Sequence, residues 1–123
     1  MSQATDPRRR LGDQGERCAA EHFVRLGFEL IGRQHRTRFG EIDLIMYDGT
    51  TLVFCEVKTR RGEGRHWDSL GPRKQRQVRR MAAAYLAEVS ARPRATEIRF
   101  DAVAVTIDAR GRLQSLEHLV GAF

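Results

Sequence analysis

Apolar residues recur at helical spacing in two stretches of the chain. In residues 13–26 they fall near one face, with Asp13 suited to cap the start of a helix and Gly27 suited to end it. Pro72 is typical of a first helical turn, and it opens a second predicted helix over residues 72–90. The apolar stripe of this second helix comprises Val78, Met81, Ala82, Tyr85 and Val89. Two amphipathic helices are therefore predicted, each with one face for a core.

Four other stretches have the alternation or the continuous apolar run of β-strands. They are residues 28–31, 41–47, 52–59 and 98–107. Asp48 and Gly49 form a tight-turn signal between the second and third of these stretches, which predicts a hairpin. The last strand is apolar on both alternations from Ala102 onward, as expected of a strand that is covered on both faces.

The segments between these elements are polar. Residues 34–39 are rich in arginine and are predicted to form a loop. Residues 60–70 are rich in glycine and charge, which predicts a second, exposed loop. Residues 113–123 close the chain without a pattern that assigns them to a helix or a strand.

The resulting order, α-β-β-β-α-β, predicts an α/β fold in which helices flank a mixed sheet. A chain of 123 residues has the size of one domain, which we place at residues 11–123 after a flexible basic tail at 1–10. The longest apolar run has seven residues, so no membrane partner is expected. Cys18 and Cys55 are far apart and outside any CxxC motif, which predicts two buried free thiols in a cytoplasmic protein.

Positive charge is concentrated in one segment. The chain has a net charge of +6, but residues 58–80 alone carry nine basic and two acidic residues, a net +7. A basic block beside a helix start is typical of a surface that contacts phosphates, and the alternative is a solvated helix face. Lys58 and Lys74 are the only lysines among 22 basic residues. This bias toward arginine predicts that lysine stands at these two positions because a compact point charge is needed there.

Acidic residues stand on both strands of the predicted hairpin. Depending on the loop length, Asp43 lies either diagonal to Glu56 or directly opposite it, and both registers put the two carboxylates on one face unless a bulge intervenes. Lys58 follows Glu56 by two residues and therefore shares its strand face. By itself, a Glu-x-Lys sequence is more often a same-face ion pair than a catalytic site.

The combination with a second carboxylate points to metal-assisted chemistry. Neighbouring carboxylates repel each other unless a cation lies between them, and Mg²⁺ or Mn²⁺ is a cation that prefers oxygen ligands. We therefore predict a divalent metal site at Asp43 and Glu56, with the ammonium of Lys58 beside the phosphate of a substrate. These groups are sufficient for hydrolysis of a phosphodiester.

Four strings of the sequence resemble one family. They are FGEIDLI at 39–45, VFCEVKTR at 53–60, the helix from Lys74 that ends AYL at 84–86, and RFDAV at 99–103. The arrangement resembles the PD-(D/E)xK nuclease superfamily, and the strings resemble the YraN-type uncharacterised family of bacterial endonuclease-like proteins. The resemblance covers about residues 11–123 and implies a restriction-endonuclease-like fold, similar to that of archaeal Holliday junction resolvases.

The same resemblance implies roles for individual residues. The implied metal ligands are Asp43, Glu56 and the Val57 carbonyl. Lys58 would be the catalytic lysine, and Glu16, which follows Gly15 as in the Gly-Glu of the family, would be a further catalytic acid near the metal. Ile42 stands where the superfamily nominally has proline, a departure that leaves the acids and the lysine in place.

The presence of Asp43, Glu56 and Lys58 together favours a Mg²⁺- or Mn²⁺-dependent endonuclease, with DNA rather than RNA as the expected partner and branched or single-stranded DNA as the candidate substrate. The alternative is a non-cleaving nucleic-acid-binding module that retains the nuclease fold. The residues expected to contact nucleic acid are Arg60, Arg61, Arg65, Arg73, Lys74, Gln75 and Arg76. One small site cuts one strand, so paired cuts would need a homodimer.

Other polar residues are assigned structural roles. Asp101 stands near Arg99 at a strand entrance and is expected to form an ion pair with it. Cys55 points away from Glu56 and is expected to pack in the core and not to act as a nucleophile. The four histidines show no paired ligand spacing, so a zinc site is not expected.

Overall fold

Two helices and five strands make up the part of the chain that the computed structural model describes, residues 6–62, 67 and 70–123. The elements are α1 (Pro7–Arg25), β1 (Glu29–Thr37), β2 (Gly40–Tyr47), β3 (Thr51–Arg61), α2 (Pro72–Glu88), β4 (Glu97–Ile107) and β5 (Leu113–Leu119). Their order confirms the predicted succession α-β-β-β-α-β and adds one strand at the end.

The five strands form one sheet with the spatial order β1-β2-β3-β4-β5. β1, β2 and β3 are antiparallel neighbours, β4 is parallel to β3, and β5 returns antiparallel to β4. A parallel pair needs a crossover connection, and α2 supplies it between β3 and β4. The predicted fold class, a mixed sheet flanked by helices, is therefore confirmed.

The two helices cover opposite faces of the sheet. Ala19 and Phe23 of α1 pack against strand residues that include Leu44, Val53 and Val103. The core beneath α2 comprises Val78, Met81, Ala82 and Tyr85 with Ile42, Ile45, Leu52 and Phe54. The stripe predicted for the second helix is thus its buried face. Neither described helix combines the length and the apolar character needed to span a membrane.

The first helix begins earlier than predicted. Asp6, and not Asp13, caps α1, because the Asp6 carboxylate accepts a hydrogen bond of 2.9 Å from the backbone N–H of Arg8. Residues 7–10, predicted to belong to a flexible tail, are therefore the first turn of α1. Asp13 lies inside the helix, where its carboxylate accepts a hydrogen bond from Gln34 instead.

Strand pairing extends the sheet beyond the strands predicted from the sequence. β1 runs through most of the loop predicted at residues 34–39, because its pairing with β2 continues as far as Thr37 opposite Gly40. The unassigned closing segment contains β5, an edge strand with mostly exposed side chains that pairs with β4. β3 continues to Arg61, and the loop predicted at 60–70 falls mainly outside the described residues.

The residues assigned structural roles lie largely as predicted. Arg99 donates two hydrogen bonds, of 2.9 and 2.8 Å, to the fully buried carboxylate of Asp101, which confirms the ion pair. Cys55 is buried, and burial raises the pKa of its thiol, as suits a core residue. Cys18 is also a free thiol but is only partly buried, so the prediction of two buried thiols is wrong for this one.

Candidate active site

The β2–β3 hairpin places Asp43 beside Glu56. The paired residues run from Tyr47–Leu52 to Leu44–Cys55, which is the register of the longer hairpin loop and puts Asp43 opposite Glu56 one step beyond the last pair. At that step Oδ2 of Asp43 accepts a hydrogen bond of 2.8 Å from the backbone N–H of Val57. The Asp43 carboxylate thus accepts the hydrogen bond that a backbone carbonyl of β2 would accept if the β2–β3 pairing continued regularly.

The environment of Asp43 disfavours its negative charge. Burial is the largest cause and the negative charge of Glu56 the next, and against the Val57 hydrogen bond they raise the pKa of Asp43 to about 8. The charge of Glu16 adds to the rise, and the charge of Lys74 opposes it. A buried carboxyl beside a second, negatively charged carboxylate is an electrostatic setting that a divalent cation would stabilise.

Glu56 lies between the two lysines of the chain. Its Oε1 is 3.3 Å from Nζ of Lys58, two residues along β3, and 3.1 Å from Nζ of Lys74 on α2. The Glu56 side chain is 7% exposed, whereas the lysine side chains are 27% and 23% exposed, so a buried carboxylate is paired with two partly exposed cationic side chains. Lys74, predicted to contact nucleic acid, is thus also a direct neighbour of the predicted metal ligand.

α1 brings Glu16 to the same region. Gly15 is buried against β3, and a Cβ at this position would overlap the side chain of Thr59, so only glycine permits this close approach. The next residue, Glu16, is buried, and burial raises the pKa of its carboxyl. A hydrogen bond from Gln34 and the charge of Arg33, whose guanidinium lies 3.5 Å from Oε1, oppose this rise.

Gln34 is a site residue that the sequence analysis missed. Its Nε2 donates to Oδ1 of Asp13 at 2.9 Å and to Oε1 of Glu16 at 3.0 Å, so it ties β1 to α1. It has a φ of 50°, an uncommon value for a residue other than glycine, and it lies between two β1–β2 pairs in the position opposite Asp43. No signal in the sequence marks it, because it stands in an arginine-rich segment typical of a loop.

The alternation of β2 is interrupted at this point. Ile42 and Ile45 both pack beneath α2, although residues three apart on a regular strand lie on opposite faces. The irregularity falls at Asp43, opposite Gln34, between the pairs Arg33–Leu44 and His35–Ile42, which keep one register, so no residue is inserted there. The register shift of β1 lies elsewhere, between Leu30 and Gly32. Asp43 nonetheless remains next to Glu56, because the Val57 N–H holds its carboxylate.

The donors available to a metal ion are few. No group of three or more His, Cys, Asp or Glu side chains in the described ranges is arranged to hold an ion. The carboxylates of Asp43 and Glu56 remain, with the Val57 carbonyl, which is directed to the same side of β3 as the N–H that Asp43 binds. Mg²⁺ usually takes one or two protein carboxylates and completes its shell with water and substrate phosphate, so this donor set fits the ion.

The predicted nucleic-acid contacts are divided among three places. Arg60 and Arg61 are exposed at the end of β3, and Arg73 and Arg76 are exposed on α2. Gln75 is turned inward, where its amide donates to the Leu70 carbonyl. Arg65 lies outside the described residues. A cleft of about 450 Å³ beside α2 is lined by Phe39, Arg73, Arg76, Gln77 and Arg80, of which only the first two arginines were predicted.

The fold and the site together define a small α/β domain that carries an acidic pair, two lysines and a basic cleft. The chain belongs to the Uncharacterised protein family UPF0102, whose family model matches residues 15–105. This membership agrees with the YraN-type resemblance of the sequence, and the matched residues include every acid and both lysines of the site.

Relatives in this family match nearly the whole chain. A UPF0102 protein of Pelotomaculum thermopropionicum is 40% identical over 120 residues, which cover 96% of this chain and 98% of the relative. A UPF0102 protein of Frankia casuarinae is 43% identical over 116 residues, 92% of this chain and 95% of its own. A UPF0102 protein of Symbiobacterium thermophilum is 45% identical over 108 residues, 86% of this chain and 90% of its own.

Proposed function

We propose that this protein is a metal-dependent endonuclease that hydrolyses phosphodiester bonds of DNA. The observation that carries the proposal is the meeting of Asp43, Glu56 and both lysines of the chain at the end of one hairpin. Both lysines pair with Glu56, whereas Asp43 is a second buried carboxyl beside them that forms no ion pair with a described residue and has a pKa raised to about 8. A buried acidic pair with adjacent ammonium groups suits hydrolysis of an anionic substrate.

Asp43, Glu56 and the Val57 carbonyl would hold Mg²⁺ or Mn²⁺. When bound, the ion supplies positive charge that polarises the phosphodiester and favours ionisation of water. Binding requires Asp43 to lose its proton, because a carboxylate coordinates the ion and a carboxylic acid does not. The hydrogen bond from the Val57 N–H orients the carboxylate for this role in advance.

Lys58 and Lys74 have the position to stabilise the negative charge that develops on the phosphate. In the free protein both ammonium groups lie at Oε1 of Glu56, and each lysine side chain remains about a quarter exposed. They come from different elements, β3 and α2, so they can approach a bound phosphate from two directions. Glu16 is held by Gln34 and Arg33, and it acts by adding to the negative field around Asp43.

Cleavage assays on end-labelled DNA test this proposal. Single-stranded, duplex, flap and four-way-junction substrates are incubated with Mg²⁺, with Mn²⁺ or with EDTA. Asp43→Asn, Glu56→Gln and Lys58→Met are each expected to lower the cleavage rate at least 100-fold. Glu29→Gln, which removes an exposed carboxylate of β1, is the matched control and is expected to cleave at the wild-type rate. Cleavage that persists in EDTA, or wild-type rates in all three site variants, would contradict the assignment.

One observation favours a second function, a nucleic-acid-binding module that does not cleave. Glu56 already has two cationic partners in the protein itself, so its charge is balanced without a metal ion. For such a module, DNA binding would be unaffected by EDTA, and none of the four substrates would be cut with either metal. Isothermal titration with Mn²⁺ would then give the same result for the wild type and for Asp43→Asn, because no ion would bind at Asp43.

A further inference from the structure

Two adjoining clefts form a groove along one face of α2. The first, of about 450 Å³, is lined by Phe39 with Arg73, Arg76 and Arg80. The second, of about 330 Å³, shares Phe39 and Arg80 with the first and continues toward Ala87. We call these together the α2 groove. The three arginines recur at the three- and four-residue spacing of one helix face, and they span about 10 Å of helix.

The basic end of the α2 groove adjoins the candidate site. Arg73 is the chain neighbour of Lys74, and Gln77 follows Lys74 by one helical turn. The side-chain amide of Gln77 donates to the Phe39 carbonyl at 2.8 Å, and a Cβ on Gly40 would overlap that amide, so α2 is packed tightly against the start of β2. Asp43 lies three residues beyond Gly40, about 10 Å along an extended strand. Lys74, which follows Arg73, contacts Glu56, so this end of the groove is the one nearer the acidic pair.

The arginines of the groove are available to a ligand. Among the described residues, Arg73, Arg76 and Arg80 form no ion pair with any carboxylate, and all three are exposed. Aspartate and glutamate partners are present elsewhere for arginines of this chain, for example at Arg99. Three unpaired guanidinium groups on one face of a helix are suited to contact consecutive phosphates.

The groove also offers a surface for stacking. The guanidinium carbon of Arg38 lies 4.8 Å from the ring centroid of Phe39, so a cation and an aromatic ring are paired at the β1–β2 turn. Proteins that bind single strands combine a basic track with aromatic or guanidinium planes on which bases stack. The faces of bases within a duplex are already stacked on each other, so they cannot use such a surface.

We propose that the α2 groove binds a single strand of DNA and leads it to the Asp43–Glu56 site. The phosphates contact Arg73, Arg76 and Arg80, and a base stacks at Arg38 and Phe39. The substrate class that follows is DNA with a single-stranded segment, and this part of the inference rests on the proposed endonuclease function. The binding part stands on the groove alone.

Fluorescence anisotropy in EDTA tests the binding part without any cleavage. The probes are a fluorescein-labelled 12-nucleotide single strand and the 12-base-pair duplex of the same sequence. Arg76→Ala/Arg80→Ala is expected to weaken single-strand binding at least tenfold, and to make the slope of log K against log salt shallower by about 1.4 for two lost phosphate contacts. The matched control Arg25→Ala/Arg110→Ala removes two exposed arginines elsewhere, and it is expected to keep the salt slope of the wild type.

Phe39→Leu separates stacking from charge. It keeps an apolar side chain against the α2 core, and it is expected to weaken single-strand binding about fivefold or more with an unchanged salt slope. Thermal unfolding of each variant verifies that it is folded. Binding by the groove variant within twofold of the control variant, or equal affinity for duplex and single strand, would overturn the inference.

The same assay distinguishes this inference from the proposed function. Asp43→Asn lies outside the groove and is expected to bind the single strand at least as tightly as the wild type while losing cleavage. If the wild type cuts no substrate but the groove variant still loses single-strand binding, the endonuclease proposal fails and the groove inference stands. If cleavage depends on Asp43 and the groove variant binds and cuts single-stranded DNA normally, the groove inference fails alone.

Discussion

Nζ of Lys74 on α2 lies 3.1 Å from Oε1 of Glu56 on β3, the same oxygen that Lys58 approaches at 3.3 Å. The contact connects the crossover helix to the sheet at the proposed active site. It also means that Glu56, although buried, has two sources of positive charge in the free protein.

Removal of the two lysines is expected to be more costly together than separately. Lys58→Met or Lys74→Met alone leaves Glu56 one cation and is expected to lower the free energy of unfolding by about 1 kcal/mol or less. The double variant leaves a buried carboxylate without a partner, which costs about 3–5 kcal/mol. Urea unfolding at pH 7 in EDTA measures the coupling, and adding Glu56→Gln to the double variant is expected to restore stability. Strictly additive losses would contradict shared pairing.

Asp43→Asn is expected to stabilise the metal-free protein. The pKa of Asp43 is raised from 3.8 to about 8, first by burial and then by Glu56, so between these pH values the folded protein holds a proton that the unfolded chain has released. The free energy of unfolding therefore falls as the pH rises through this window. An asparagine accepts the same hydrogen bond from Val57 without a charge, and the variant is expected to gain roughly 2–4 kcal/mol at pH 8.

Urea unfolding in EDTA at pH 5, 6, 7 and 8 measures this difference. It is expected to widen with increasing pH, whereas Glu29→Gln, an exposed carboxylate of β1, is expected to parallel the wild type. Equal stability of Asp43→Asn and wild type across the series would show that Asp43 is ionised without cost in the folded protein.

Gly15→Ala is expected to destabilise the protein by forcing α1 away from β3. The added Cβ would overlap Thr59, and a forced fit of this kind costs about 1–3 kcal/mol. Gly12 offers the matched control, because a Cβ there meets no atom within 4 Å, and Gly12→Ala is expected to gain about 0.5–1 kcal/mol from helix propensity. Thermal unfolding ranks the two variants, and similar melting temperatures would mean that the close approach is not needed.

Asp101→Asn is expected to weaken the protein most near neutral pH. Burial raises the pKa of Asp101, but hydrogen bonds from Arg99, Gly121 and His118 together lower it by a larger amount. The net shift of the pKa is therefore downward. Its contribution to stability is present above the unfolded pKa and is lost as the pH falls through the folded pKa. The variant is expected to lose about 3–5 kcal/mol at pH 7, with the deficit narrowing below about pH 4.

Unfolding by guanidinium chloride at pH 7, 5 and 3 measures the contribution of Asp101. Glu21→Gln, an exposed acid on α1, supplies the comparison for loss of a carboxylate without an ion pair. A deficit that stays constant from pH 7 to pH 3 would show that packing, and not the charge of Asp101, is responsible.

Much of the site was predictable because it depends on local periodicity. Glu56 and Lys58 share a face of β3 since side chains alternate along any strand, and the Asp48-Gly49 turn brings β2 back beside β3. The exact register was not predictable. Two loop lengths were compatible with the sequence, and the structure has the longer one, with Asp43 opposite Glu56.

The extent of the first strand and the start of the first helix were predicted wrongly for a different reason. Capping residues occur at both Asp6 and Asp13, and the structure uses the earlier one, where Pro7 follows in the first turn. The arginine-rich run after Gly32 is typical of a loop, yet it pairs with β2 because its partner strand is buried and needs its backbone hydrogen bonds satisfied. Pairing of this kind overrides local propensity.

The amino-acid sequence by itself determined the helix and strand pattern, the α/β class, the basic segment and the placement of an acid and a lysine on one strand face, because each depends on residues close together in the chain. The tertiary structure decided which distant residues meet. Lys74 comes to Glu56, Gln34 to Glu16, and Gly15 to Thr59 through packing of two helices on opposite faces of one sheet. Such contacts depend on the positions of whole elements, and no local pattern encodes them.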